Sequence, residues 1–144
     1  FLVLMSGALA QLVLRHLEPT PAIGWGLAVA CVAFVGVIVG APAQSATLVL
    51  ASVTVTGAAC GLVFKGGLDL ATRIAPPQDR GKLISSYYVA CYLGGFSLPL
   101  LVVGILADLL GRTQALVILT SVAAVASLWT WAVGLRAIDR LAPH

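Results

Sequence analysis

The 144 residues include 8 Lys or Arg and 5 Asp or Glu, so only 9% of the chain is charged while 60% is apolar. Mean hydropathy is +1.08, and four charge-free runs, residues 1–14, 19–64, 83–107 and 113–135, have no polar face to offer water. This excludes a soluble globular domain, a disordered chain, a nucleic-acid binder and a disulfide-stapled secreted module, and points to a polytopic membrane protein with the lipid bilayer as its solvent.

A bilayer core of about 30 Å takes about 20 helical residues. The first span, residues 1–15, is short. It opens apolar on Phe1, with no basic segment ahead of it as a signal peptide needs, and reads as a fragment entering mid-helix. The run 19–64 would reach roughly 69 Å as one helix, so it must reverse. The Pro-bearing stretch Gly40-Ala41-Pro42-Ala43-Gln44-Ser45 is the place for a turn. The predicted helices are therefore 1–15, 22–41, 46–70, 83–107 and 113–136. The runs lack the alternation of barrel strands, and open strands would leave backbone groups unpaired in lipid. The fold class is all-α, with five transmembrane helices, the first truncated, in a single transmembrane domain over residues 1–144.

Five alternating helices place Arg15, Arg73, Arg80, Lys82, Arg136 and Arg140 on one membrane face, with Lys65 at a helix end beside them, and only Arg112 on the other. By the positive-inside rule the basic face, including the C-terminus, is cytoplasmic in a multi-pass protein of the cell (inner) membrane. Trp25, Trp129 and Trp131 fall near that same surface, as belt residues do. The net charge of +3 is then a topology signal and calls for no nucleic acid.

The stretch Pro76-Pro77-Gln78-Asp79-Arg80-Gly81-Lys82, running on through Ser85-Ser86-Tyr87-Tyr88-Val89-Ala90-Cys91-Tyr92-Leu93-Gly94-Gly95-Phe96-Ser97-Leu98-Pro99, resembles the tenth and eleventh helices and joining loop of major facilitator superfamily exporters. The resemblance implies that the five spans are helices eight to twelve of a twelve-helix transporter, most of its C-terminal helical bundle, with the N-terminal half as missing partner. It implies efflux of a small-molecule substrate by alternating access. Gly104-x-x-x-Asp108-x-x-Gly111-Arg112 looks like that family's loop signature, yet the charge count puts it on the outer side, as a relic of duplication or a chance match.

A substrate path needs polar or aromatic groups at mid-membrane. Tyr88, Tyr92, Gly95 and Pro99, at i, i+4, i+7 and i+11, share one helical face and combine aromatic surface, a gap for close backbone approach and a kink. Tyr92 lies deepest and is the first candidate. Tyr87 and Tyr88 sit nearer the interface, where belt tyrosines are common. The resemblance implies that the first, third and fourth spans line the path, which adds Gln11. Thr54 and Thr56 bond back to their own helix in the commoner outcome.

Lys65, Asp69 and Arg73 at i, i+4 and i+8 form either an interfacial salt-bridge ladder or a cytoplasmic gate. Gly36-x-x-x-Gly40 and Gly57-x-x-x-Gly61 are helix-packing motifs. The cysteines lie inside spans without a C-x-x-C or nearby His, His16 and His144 are solitary, and no Ser-His-Asp set, phosphate loop or H-E-x-x-H is present. Neither an enzyme nor a metal or other cofactor is expected. None of the acids lies at mid-membrane, so if protons drive transport the coupling carboxylate belongs to the missing half or is Asp69. The rival readings are a small self-standing multidrug carrier, which lacks its first-helix carboxylate here, and a non-transporting membrane scaffold, which would leave Tyr92 and Gln11 unexplained.

Overall fold

The computed structural model describes residues 2–134, all helices and short connections with no strand among them. The helices are α1 (Leu2–Val13), α2 (Pro19–Gly40), α3 (Ala46–Ile74), α4 (Arg80–Ala90), α5 (Leu98–Leu110) and α6 (Arg112–Trp129). A π-helical stretch, Cys91–Ser97, joins α4 to α5, and a second, Thr130–Gly134, extends α6. Because α4, the π stretch and α5 run on as one rod, Arg80–Leu110, the described residues form five rods. Four of them, Pro19–Gly40, Ala46–Ile74, Arg80–Leu110 and Arg112–Gly134, are long and apolar enough to cross a membrane. The all-α, multi-span class is as the composition requires.

Several helix ends differ from expectation for local reasons. α2 begins at Pro19, not residue 22, because prolines are tolerated in a first turn whose N–H groups have no helical partner anyway. α3 runs past residue 70 to Ile74, since Lys65 and Asp69 satisfy each other on its surface and do not end it. The first helix stops at Val13, short of 15, and the rod is longer at both ends than 83–107. The expected end of the last helix at 136, and Arg136, Arg140 and His144, lie outside the described residues.

The α2–α3 reversal falls at the expected place. The Ser45 N–H donates to the Gly40 carbonyl at 3.1 Å and the Gln44 N–H to the Ala41 carbonyl at 3.3 Å. This double closure is the Schellman ending of a helix, with Gln44 at φ +52° in the position where glycine is usual. Ser45 then caps α3, its hydroxyl oxygen accepting from the Leu48 N–H. At the far end of the rod, Gly111 alone turns the chain into α6, with φ +89° and ψ 155°.

In lipid, apolar area gives no drive for one helix to prefer another, so association depends on close packing and hydrogen bonds. α3 is the hub: α1 and α2 pack along it, α4 touches it near its C-terminal end, α6 lies on α2, and α5 pairs with α6. The α2–α3 seam is built of small residues. Ala22 and Ala59 are fully buried and Ala30 and Ala33 nearly so, while Gly26 lets the Ala59 carbonyl and Val63 approach and Gly36 faces the Ser52 hydroxyl. Along α1, the Gly57 and Gly61 backbone meets Val3, Ser6 and Gly7 so closely that a Cβ added at Gly61 would stand 2.5 Å from the Gly7 carbonyl oxygen. Ser6 fastens the contact by donating to the Thr54 carbonyl of α3 at 2.8 Å.

Candidate functional site

The basic end of α3 brings three helices to one level. Its consecutive glycines, Gly66 and Gly67, point about 100° apart around the axis and therefore admit two different neighbours. Gly66 faces the Pro19 carbonyl and Ile23 of α2, and Gly67 takes the ring and hydroxyl of Tyr87 from α4. The Tyr87 hydroxyl donates to the Phe64 carbonyl at 2.9 Å. Phe64 is also the base of an aromatic cluster: its ring centroid is 5.5 Å from both Tyr87 and Tyr88. Tyr88 in turn stacks on Tyr92 at 6.3 Å with the planes 17° apart. Such separations are those of favourable aromatic pairs.

Beyond Tyr88 the rod leaves α3. None of the described side chains in Arg80–Leu110 is buried, and Tyr92, Leu93, Leu98, Leu100, Leu101, Ile105 and Leu109 are each more than half exposed. The π stretch has a local cause. Pro99 has no N–H for the Gly95 carbonyl and its ring crowds that carbonyl, and the preceding turns widen, the Leu98 N–H reaching back to the Leu93 carbonyl. Gly94 and Gly95 tolerate the wider turn, and a Cβ on either would meet nothing within 4 Å.

The expected residues are thus divided between two places. Tyr88 and Tyr92 do share a face, stacked as the i, i+4 spacing implies, and Pro99 lies half-buried just past the π stretch. Gly95 serves no close helix approach within the chain: the neighbouring backbone that its spacing suggested is absent among the described residues, and its role is local to the widened turn. Gln11, half-buried on α1, is not part of this face, because α1 contacts α3 and neither α4, the π stretch nor α5. One path lined jointly by Gln11 and the tyrosines is therefore not what these helices form among themselves.

The Lys65, Asp69, Arg73 ladder is joined at one rung. The Lys65 ammonium donates to Asp69 at 2.7 Å and, at 3.4 Å, to the Leu17 carbonyl in the α1–α2 loop. Lys65 is mostly covered, and Asp69 is 43% exposed. Arg73 is exposed and joins no ion pair among the described residues. Thr54 and Thr56 donate back to the Leu50 and Ser52 carbonyls of their own helix. His16 accepts from the Arg15 Nε–H at 3.2 Å. Among the described residues no three His, Cys, Asp or Glu gather as a metal set.

Sequence reasoning missed Phe64, Gly67 and the role of Tyr87, which was expected in the interfacial belt. The Gly66-Gly67 pair beside Lys65 was the available signal, since two glycines in a row on a membrane helix open two faces at once.

The comparison with protein-family models decides the family. The model described as PUCC protein matches residues 3–135. The chain belongs to the PUCC protein family. This overturns the resemblance to the major facilitator superfamily, for which no family model matches. Among curated proteins and among solved structures, nothing matches the chain. The PUCC match runs through every described helix, so α1 to α6 are all parts of the family's own fold. The signature-like Gly104 to Arg112 then has a local explanation: the turn between two packed helices needs a residue at φ +89°, and Gly111 supplies it.

Proposed function

We propose that this PUCC-family membrane protein is an assembly scaffold that presents the Arg80–Leu110 rod to an apolar partner within the bilayer. The observation that carries this reading is the lack of burial along a rod long and apolar enough to cross a membrane, in a bundle whose α2 and α3 pack closely against each other through glycine and alanine. Leu93, Leu100 and Leu101 offer an uncharged surface, and Tyr88 and Tyr92 add stacked rings beside it. The family is described as photosynthetic complex assembly or pigment-related proteins, and an apolar, ring-bearing face suits either a hydrophobic transmembrane segment or a flat conjugated ring. On this reading Tyr92, unexplained by a bare scaffold, belongs to the docking face, and Lys65, Asp69 and Leu17 brace the α1–α2 loop against α3. On this reading the membrane face that carries Arg15, Arg73, Arg80 and Lys82 is the cytoplasmic one by the positive-inside rule.

Complementation tests it. In a photosynthetic host whose own copy of this gene is deleted, the wild-type gene should restore the pigment–protein absorption of isolated membranes. The Leu93→Ala/Leu100→Ala/Leu101→Ala variant, at equal abundance in the membrane, should restore less than half. Unaltered absorption in the deletion strain would end the assembly reading.

A further inference from the structure

α2 ends and α3 begins at one level, the turn closed by the Ser45 N–H on the Gly40 carbonyl, but at the basic end the two helices stop at different heights. α2 has 22 residues and α3 has 29, or about 33 and 43 Å at the helical rise, against a bilayer core of about 30 Å. The first residue of α2, Pro19, meets α3 at Gly66, so the stretch of α3 from Gly66 to Ile74 reaches about 12 Å past α2. α4 goes with it. Tyr87 lies at Gly67, and the stretch back to Arg80 adds about 10 Å. A headgroup layer is about 5–8 Å deep on each side of the core. The α3–α4 tip therefore runs through that layer and just past it, whereas α2, at the length of the core, ends near its inner edge.

The tip is basic where it crosses the layer. It carries Arg73, Arg80 and Lys82 with Asp69 and Asp79, and both acids are engaged, Asp69 by Lys65 at 2.7 Å and Asp79 by Lys82 at 3.5 Å. Glu18, beside Pro19, stands at the foot of α2, about 12 Å short of the tip. Arg73 and Arg80 are exposed, and neither side chain has a hydrogen bond or ion pair among the described residues. A helical side chain slants toward its own N-terminus, so Arg73 leans back from the tip toward the membrane. The opposite surface has one charge of each sign, Asp108 and Arg112. We propose that the α3–α4 tip binds anionic phospholipid, with Arg73 and Arg80 donating charge-assisted hydrogen bonds to the headgroup phosphate. This rests on helix lengths and charge and does not depend on the assembly reading.

Lipid competition tests it. The full chain, in uncharged detergent micelles that hold equal amounts of phosphatidylglycerol and phosphatidylcholine with the same acyl chains, would be taken into native mass spectrometry and the ratio of the two bound lipids read. The ratio should favour phosphatidylglycerol about fivefold, the factor that one basic residue near an anionic surface gives. Arg73→Gln/Arg80→Gln should bring it to about 1. Arg73→Lys/Arg80→Lys, which keeps both charges, should hold most of the preference, and Arg112→Gln on the other surface should leave it unchanged. Added glycerol phosphate, which has the phosphate without the chains, should leave the bound lipid in place. A wild-type ratio of about 1, an unchanged ratio in the glutamine variant, loss of the preference in the lysine variant or an equal loss in Arg112→Gln would each overturn the proposal. Displacement by glycerol phosphate would overturn the lipid as ligand and assign the arginines to a soluble phosphate.

Discussion

The two sides of this molecule use glycine in opposite ways. Along α3, Gly57, Gly61, Gly66 and Gly67 each have a neighbour where a Cβ would stand, and three helices come close through them. In the rod, Gly94, Gly95 and Gly104 have none. The same residue thus serves packing on one side and backbone freedom on the other. In a bilayer, where apolar area alone does not hold helices together, the first side is the closely packed frame and the second is the one that the described helices leave uncovered.

The sharpest way to break this contrast is to fill the frame. Gly61→Leu forces a side chain into the Gly7 backbone and should cost about 3 kcal/mol or more in denaturant titration of the reconstituted protein, or abolish accumulation, as overpacking does. Leucine at Gly104, which faces open space, should be nearly silent. Next in size is Gly111→Ala: with φ +89° and ψ 155° the position lies in a region almost closed to other residues, and a cost of about 2 kcal/mol is expected in the same titration. A smaller loss, about 1 kcal/mol, is expected for Lys65→Met, which leaves Asp69 and the Leu17 carbonyl without their donor while keeping the apolar stem. Because Asp69 is nearly half exposed, a double-mutant cycle with Asp69→Asn should assign less than about half of that to the pair. The smallest change is a gain: Gln44→Gly relieves the left-handed backbone of the α2–α3 turn and should raise stability by about 0.5 kcal/mol.

What could be seen in the sequence followed from the physics of lipid. Charge-free runs had to be helical and apolar, the 46-residue run 19–64 had to reverse near Pro42, and Gly36, Gly40, Gly57 and Gly61 had to meet close neighbours, because each of these is decided locally. Features that depend on which helices become neighbours were not visible. The spacing of Gly95 fitted a close helix crossing, but no helix among the described residues crosses the rod there. Gln11 and Tyr92 both look like path residues, yet α3 stands between α1 and the rod. The family reading went astray for a related reason: it rested on Pro76 to Pro99, where prolines break one helix, Arg80 and Lys82 sit near the interface and Pro99 widens the turns before it, and membrane helices of any ancestry meet those needs in the same way. The Tyr87 to Phe64 bond was hidden because its acceptor is a backbone carbonyl, which any residue could supply.

The claim that the rod is the face offered to a partner can be put directly. A photo-crosslinking residue at position 101, where Leu101 is 65% exposed, and another at position 59, where Ala59 is fully buried, would be irradiated in native photosynthetic membranes. Position 101 should yield an adduct with a polypeptide or pigment of a photosynthetic complex, and position 59 only products within the chain. Lipid adducts alone at position 101 would contradict the account.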